Sequence, residues 1–99
     1  MTLISSLLNI YNSSVPFLQT DLNTFEKRLD LKGDSTCFIE EMDGIPVGFT
    51  VVNQNGILAL CVLPQYRNKG IGTKLLHKAE NQIKKQGYKH IVLGLSNKT

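Results

Sequence analysis

Residues 57–63, Ile-Leu-Ala-Leu-Cys-Val-Leu, form an unbroken apolar run of strand length that Pro64 closes. So short a run, with no polar alternation, reads as a strand covered on both faces and therefore as a central strand of a sheet. The next thirty residues narrow the choice of fold further. Ile71, Leu75, Leu76, Ala79 and Ile83 recur at helical spacing with Lys74, Lys78, Glu80 and Lys84 opposite, and Gly87 closes that helix. His90-Ile91-Val92-Leu93-Gly94-Leu95 then reads as another strand. Strand, helix, strand at this connection length predicts a parallel crossover. The connection from Pro64 to Gly72 then lies at the carboxyl end of a strand, where open α/β sheets put their ligands.

Upstream, Thr36–Met42 and residues 47–53 read as two more strands. Each is followed by a pair favoured in hairpin turns that need positive φ, Asp43-Gly44 and Asn55-Gly56. With residues 57–63 they predict a three-stranded antiparallel meander. Leu3, Ile4, Leu7, Leu8 and Tyr11 mark one face of a first helix. It should stop within residues 12–16, because Pro16 disfavours the helical region at Val15 and brings no backbone donor. Leu22, Phe25 and Leu29 mark a second helix ending near Lys32-Gly33, where glycine can take the left-handed cap. The expected fold class is mixed α/β (α+β): two N-terminal helices, an antiparallel three-stranded meander, then a helix and a parallel strand. At 99 residues this is a single domain with one core.

Composition removes several function classes. Hydrophobic residues at 41% and charged residues at 19% place the chain among globular sequences and away from disordered ones. No apolar run approaches the roughly 20 residues that span a bilayer, and Met1-Thr2-Leu3-Ile4 is not a signal-peptide start, so a cytoplasmic protein with no membrane partner is expected. Cys37 and Cys61 sit in hydrophobic stretches without metal-type spacing; buried free thiols are expected, with no disulfide framework and no metal. The formal net charge is +3, with lysines concentrated after position 66. An anionic ligand near the C-terminal half would explain that, and so would an ordinary solvated helix face.

The chemistry lies in Arg67-Asn68-Lys69-Gly70-Ile71-Gly72. Gly70 and Gly72 remove side chains where backbone must bend or approach a ligand, at a helix start whose amides and dipole suit phosphate. Arg67 and Lys69 add positive charge beside it. Other glycine loops fit poorly. A dinucleotide fingerprint needs a third glycine where Leu75 stands, and a P-loop needs a lysine directly after its second glycine, where Thr73 stands after Gly72.

The run Val62-x-Pro64-x-Tyr66-Arg67-x-x-Gly70-Ile71-Gly72-x-x-Leu75 resembles the signature of the GCN5-related N-acetyltransferases (GNAT), and the order of flanking elements agrees from about residue 36 to residue 95. The resemblance implies a partial acyl-CoA N-acyltransferase fold and acetyl-CoA as co-substrate, with an acetyl group passing to an amine. It implies that Arg67, Asn68, Lys69, Gly70, Ile71 and Gly72 receive the pyrophosphate, with Thr73 also in the cofactor-binding site. The backbone of Leu60, Cys61 and Val62 would bond the pantetheine arm like an added strand, where the family's fourth and fifth strands splay apart.

The departures are informative. The family usually opens with a strand before its first helix, and its general base is often a glutamate on the strand that corresponds to residues 57–63, where no carboxylate stands. No catalytic residue is therefore assigned. The family also continues past its fifth strand. Residues 1–99 are therefore expected to be an incomplete domain, similar to the N-terminal module of a tandem acetyltransferase, with the last strand edge covered by a dimer partner or a further domain. Two further readings stay open: a non-catalytic CoA-binding or structural half, and a basic nucleic-acid module. The second rests on lysines alone, so nucleic acid is not an expected partner. Tyr66 is expected to pack below the loop, His77 and His90 to be exposed and idle, and Cys61 to be a buried hydrophobe. Glu40, Glu41 and Asp43 read as edge-strand charges.

Overall fold

The computed structural model describes residues 3–14, 21–31 and 33–93. Helix α1 is Leu3–Ser14 and α2 is Leu22–Arg28; strands β1, β2 and β3 are Thr36–Met42, Ile45–Asn53 and Gly56–Val62. A 3-10 turn at Pro64–Tyr66 leads to α3, Ile71–Lys85, and β4 is Val92–Leu93. The sheet runs β1-β2-β3-β4, with β1, β2 and β3 antiparallel and β4 parallel to β3. This is the mixed α/β arrangement that the patterns imply. The Val15-Pro16 stop and Gly94-Leu95 of the last strand lie outside the described residues.

Two boundaries depart from the sequence pattern, the first for a local reason and the second for a tertiary one. Helix α2 ends at Arg28, before Lys32-Gly33, and Asp30 takes the left-handed conformation at φ 52°. Ser35 Oγ donates to the Leu29 carbonyl at 2.6 Å, and the Asp34 amide donates to Asp30 Oδ2 at 3.2 Å, so side chains close the helix early. The first hairpin turns at Asp43 and Gly44, φ 54° and 79°, as expected. The second turns at Gln54-Asn55 instead of Asn55-Gly56, and Gly56 pairs with Asn53. The register then shifts so that Val51 faces Ala59 while Val52 faces Ile57, leaving Leu58 as an extra residue on β3. That bulge keeps Val52 and Ile57 together in one apolar cluster with Ala79 and Ile83 of α3, and burial of this pair decides the register.

The helices cover the two faces of the sheet. Leu7, Ile10, Tyr11, Phe25 and Leu29 join Val47, Phe49, Val51, Ala59 and Cys61, with ring centroids 5.3 Å apart for Tyr11–Phe25 and 6.1 Å for Phe25–Phe49. On the opposite face α3 buries Ile71, Leu75, Ala79 and Ile83. The most buried strand is β2, whose residues 47–52 are all buried, because it has a strand on each side and helices on both faces. In β3 burial alternates: Ile57, Ala59 and Cys61 are buried, while Leu58, Leu60 and Val62 are half-buried. Both faces of β3 are covered, less fully at Leu60 and Val62, and β3 lies between β2 and β4 as the central strand that the apolar run implies.

Candidate functional site

Strand β3 and helix α3 meet through a short, sharply bent connection. The Leu63 amide donates to the Val47 carbonyl at 2.8 Å and closes the β2–β3 ladder, and then the Tyr66 amide donates to Leu63 and the Arg67 amide to Pro64 at 2.9 and 3.3 Å. Tyr66 packs its half-buried ring against the core, as expected. Asn68 and Gly70 take left-handed conformations, φ 64° and 80°, and so turn the chain into the helix. Ile71 is buried and anchors that start, while Arg67, Asn68, Lys69, Gly70 and Thr73 are exposed and Gly72 is half-buried.

The first bond of α3 runs from the Lys74 amide to the Gly70 carbonyl at 3.1 Å. The amides of Ile71, Gly72 and Thr73 precede it and have no acceptor within the helix, and no side chain caps them. They point out of the helix end with the positive end of its dipole. A Cβ at Gly72 would meet only Val62 Cγ2, at 3.9 Å, so the protein itself leaves this position open. The missing side chain keeps a path to the amides that a larger residue would fill.

Beside this helix start, β3 turns two residues toward the open side of the sheet. Because the Leu63 amide points to β2, alternation aims the backbone polar groups of Cys61 and Ala59 at β2 as well, and those of Leu60 and Val62 away from it. Leu60 and Val62 are therefore the residues whose backbone polar groups point away from β2, and Cys61 is not one of them. Among the described residues, strand β4 pairs with β3 at Gly56–Val92 and Ile57–Leu93, held by the Val92 amide on the Asn55 carbonyl at 2.9 Å. Among the described residues nothing pairs with the outer edge of Leu60.

Burial sets the character of Cys61. Its thiol is pushed up to about 11 by desolvation, against weaker opposing pulls from the Leu60 backbone and the Arg67 charge. Such a thiol is a packing group and a poor nucleophile at neutral pH. Cys37, on β1, is likewise raised to about 11 by burial. His77 and His90 are exposed. Glu41 and Asp43 are exposed as edge charges, whereas Glu40 is half-buried and forms an ion pair with Lys78 of α3.

Gly48, outside the loop motif, also contributes to the site. A Cβ there would lie 3.0 Å from the Cys61 carbonyl oxygen, 3.1 Å from Leu75 Cδ1 and 3.2 Å from Ile71 Cγ2. Glycine at this point lets the first turns of α3 press onto the sheet beside β3. The available signal was a glycine inside a strand pattern, which marks a close approach of neighbouring structure.

The model of the acetyltransferase (GNAT) family matches residues 4–98. The chain belongs to that family. No curated protein matches it. Among solved structures, it is similar to the ribosomal-protein-S18-alanine N-acetyltransferase from Escherichia coli, with 19% identity and a TM-score of 0.71 over 85% of this chain and 55% of that one. It is also similar to a GCN5-related N-acetyltransferase from Rhodopseudomonas palustris, at 24% identity and a TM-score of 0.73 over 86% and 62% of the two chains. A GNAT family acetyltransferase from Brucella melitensis, solved in complex with acetyl-CoA, gives 18% identity and a TM-score of 0.73 over 91% and 68%. At these identities the likeness establishes the acyl-CoA N-acyltransferase fold. This member spans 55% and 62% of the lengths of the first two. Among the described residues, no helix is long and apolar enough to cross a membrane.

Proposed function

We propose that this GNAT chain binds acetyl-CoA between the outer edge of β3 and the start of α3, and serves acetyl transfer to an amine. One observation carries the reading. The amides of Ile71, Gly72 and Thr73 stand uncapped at the end of β3, behind a glycine whose absent side chain leaves their approach open. In this reading those amides and the Arg67 and Lys69 charges receive the pyrophosphate, with Asn68 and Gly70 shaping the turn. Leu60 and Val62 bond the pantetheine arm along their outward edge, as an added strand would. When bound, acetyl-CoA supplies an acetyl group activated as a thioester. The chain's own contribution is to hold and orient it for an incoming amine.

The test is calorimetric titration with CoA. Wild type should bind, and Gly72→Glu should abolish binding by adding bulk and a like charge beside the pyrophosphate. Equal affinity of the two would remove the site assignment. A second reading, a CoA-binding or structural half without chemistry, is favoured by the absence of any Asp or Glu between Gly56 and Thr73. Binding of CoA without release of its thiol from acetyl-CoA in the presence of varied amines would select that reading. Exposed Ile91 and Val92 on the approach to and within β4 also support a dimer partner or further domain against that edge.

A further inference from the structure

Thr50 is the one buried polar residue among the described core positions, and it has no role in the proposed acetyl-CoA site. It lies on β2 between Gly48 and Val52, on the face that α3 covers, and is fully buried. A hydroxyl there needs a partner, since an unpaired one in an apolar setting is costly. It finds one across the sheet: Thr50 Oγ1 donates to the Ala59 carbonyl at 2.8 Å.

The place of that carbonyl gives the bond its consequence. Ala59 follows the extra residue Leu58, next to the point where the regular ladder with β2 is interrupted. The Ala59 carbonyl and the Leu60 amide belong to one planar trans peptide and point in opposite directions. Anchoring the carbonyl toward β2 therefore aims the Leu60 N–H away from β2, at an edge that no described residue pairs with at Leu60.

We infer that Thr50 is a positioning residue that locks the Ala59–Leu60 peptide and so presents the Leu60 amide to the pantetheine arm. The inference rests on the proposed acetyl-CoA site and adds to it a residue that touches no ligand. Thr50→Val keeps the shape and removes the donor; Thr50→Ser keeps the donor and removes a methyl. In the ligand-free protein, the amide resonance of Leu60 should move and its hydrogen exchange should quicken in Thr50→Val but not in Thr50→Ser. Affinity for CoA should fall about three- to tenfold in Thr50→Val, the range that one orientation-dependent hydrogen bond carries, and should be retained in Thr50→Ser. Adenosine diphosphate has the pyrophosphate without the pantetheine arm, so its affinity should be the same in all three proteins.

An unchanged Leu60 amide in Thr50→Val overturns the inference, whatever the affinity. So does a loss of CoA and adenosine diphosphate binding in equal measure, or a Thr50→Ser protein as impaired as Thr50→Val. Should wild type bind no CoA, the acetyl-CoA reading fails by itself, while the Leu60 amide still decides whether Thr50 sets this peptide.

Discussion

Gly72→Ala separates what the fold asks of this position from what a ligand asks. The residue is in the first turn of α3 and outside the left-handed region, and its Cβ would touch only Val62 Cγ2, at an ordinary 3.9 Å. The fold therefore accepts alanine. Glycine in a helix is disfavoured against alanine by about 0.5–1 kcal/mol, and a terminal turn should realise the lower part of that range. For a domain of this size, ~0.5 kcal/mol corresponds to a rise of about 2–4 °C in Tm. Binding should move the opposite way. A methyl group would stand between Val62 and the pyrophosphate, and overpacking a fitted contact costs about 1–3 kcal/mol, or roughly 5- to 150-fold in Kd. Thermal melts without ligand and calorimetry with CoA measure the two effects separately. A raised Tm with an unchanged Kd would show that Gly72 does not face the ligand, and a lowered Tm would refute the geometry of the helix start itself.

Gly70→Ala should behave differently, because φ of 80° strains any side chain whatever the space around it; a loss of about 1 kcal/mol in chemical denaturation is expected, and a neutral result would contradict the left-handed cap. Arg67→Ala should weaken CoA binding by about 0.5–2 kcal/mol in calorimetry, since it removes one charge and leaves the backbone amides. The cysteines predict a pH dependence. Both thiols titrate near 11 when folded, above the ordinary thiol value of 9.0, so the unfolded chain loses these protons first and stability should fall as pH rises from about 9 to 11. Denaturation midpoints of Cys37→Ala and Cys61→Ala across that window should show shallower declines than wild type, and rapid alkylation of Cys61 in the folded protein at neutral pH would contradict its burial.

Much of the architecture is legible in local patterns because local physics produces them. The apolar spacing of Ile71, Leu75, Ala79 and Ile83 places one face of α3 inward, and Asp43-Gly44 supplies the positive φ that its hairpin needs. Gly70 and Gly72 mark a bend and an uncovered helix start on their own, because a missing Cβ has the same meaning in any chain. The order of strand, glycine loop and helix likewise comes from sequence periodicity, and it placed the candidate site at the end of β3.

Tertiary packing alone settles the rest. The second hairpin turned one residue early because Val52 and Ile57 had to share the cluster beneath α3, a demand made by residues more than twenty positions away in the chain. The bulge at Leu58 results from that demand. So does the alternation by which Leu60 and Val62 face outward while Cys61 faces β2, which no count of apolar residues in 57–63 distinguishes. Gly48 and Thr50 look like ordinary strand residues until α3 and β3 are laid against them. One then proves to be a point of close approach and the other a buried donor bonded to the Ala59 carbonyl across the sheet. Side-chain periodicity is a property of one segment, whereas register, bulges and buried polar pairs are set by which segment lies opposite.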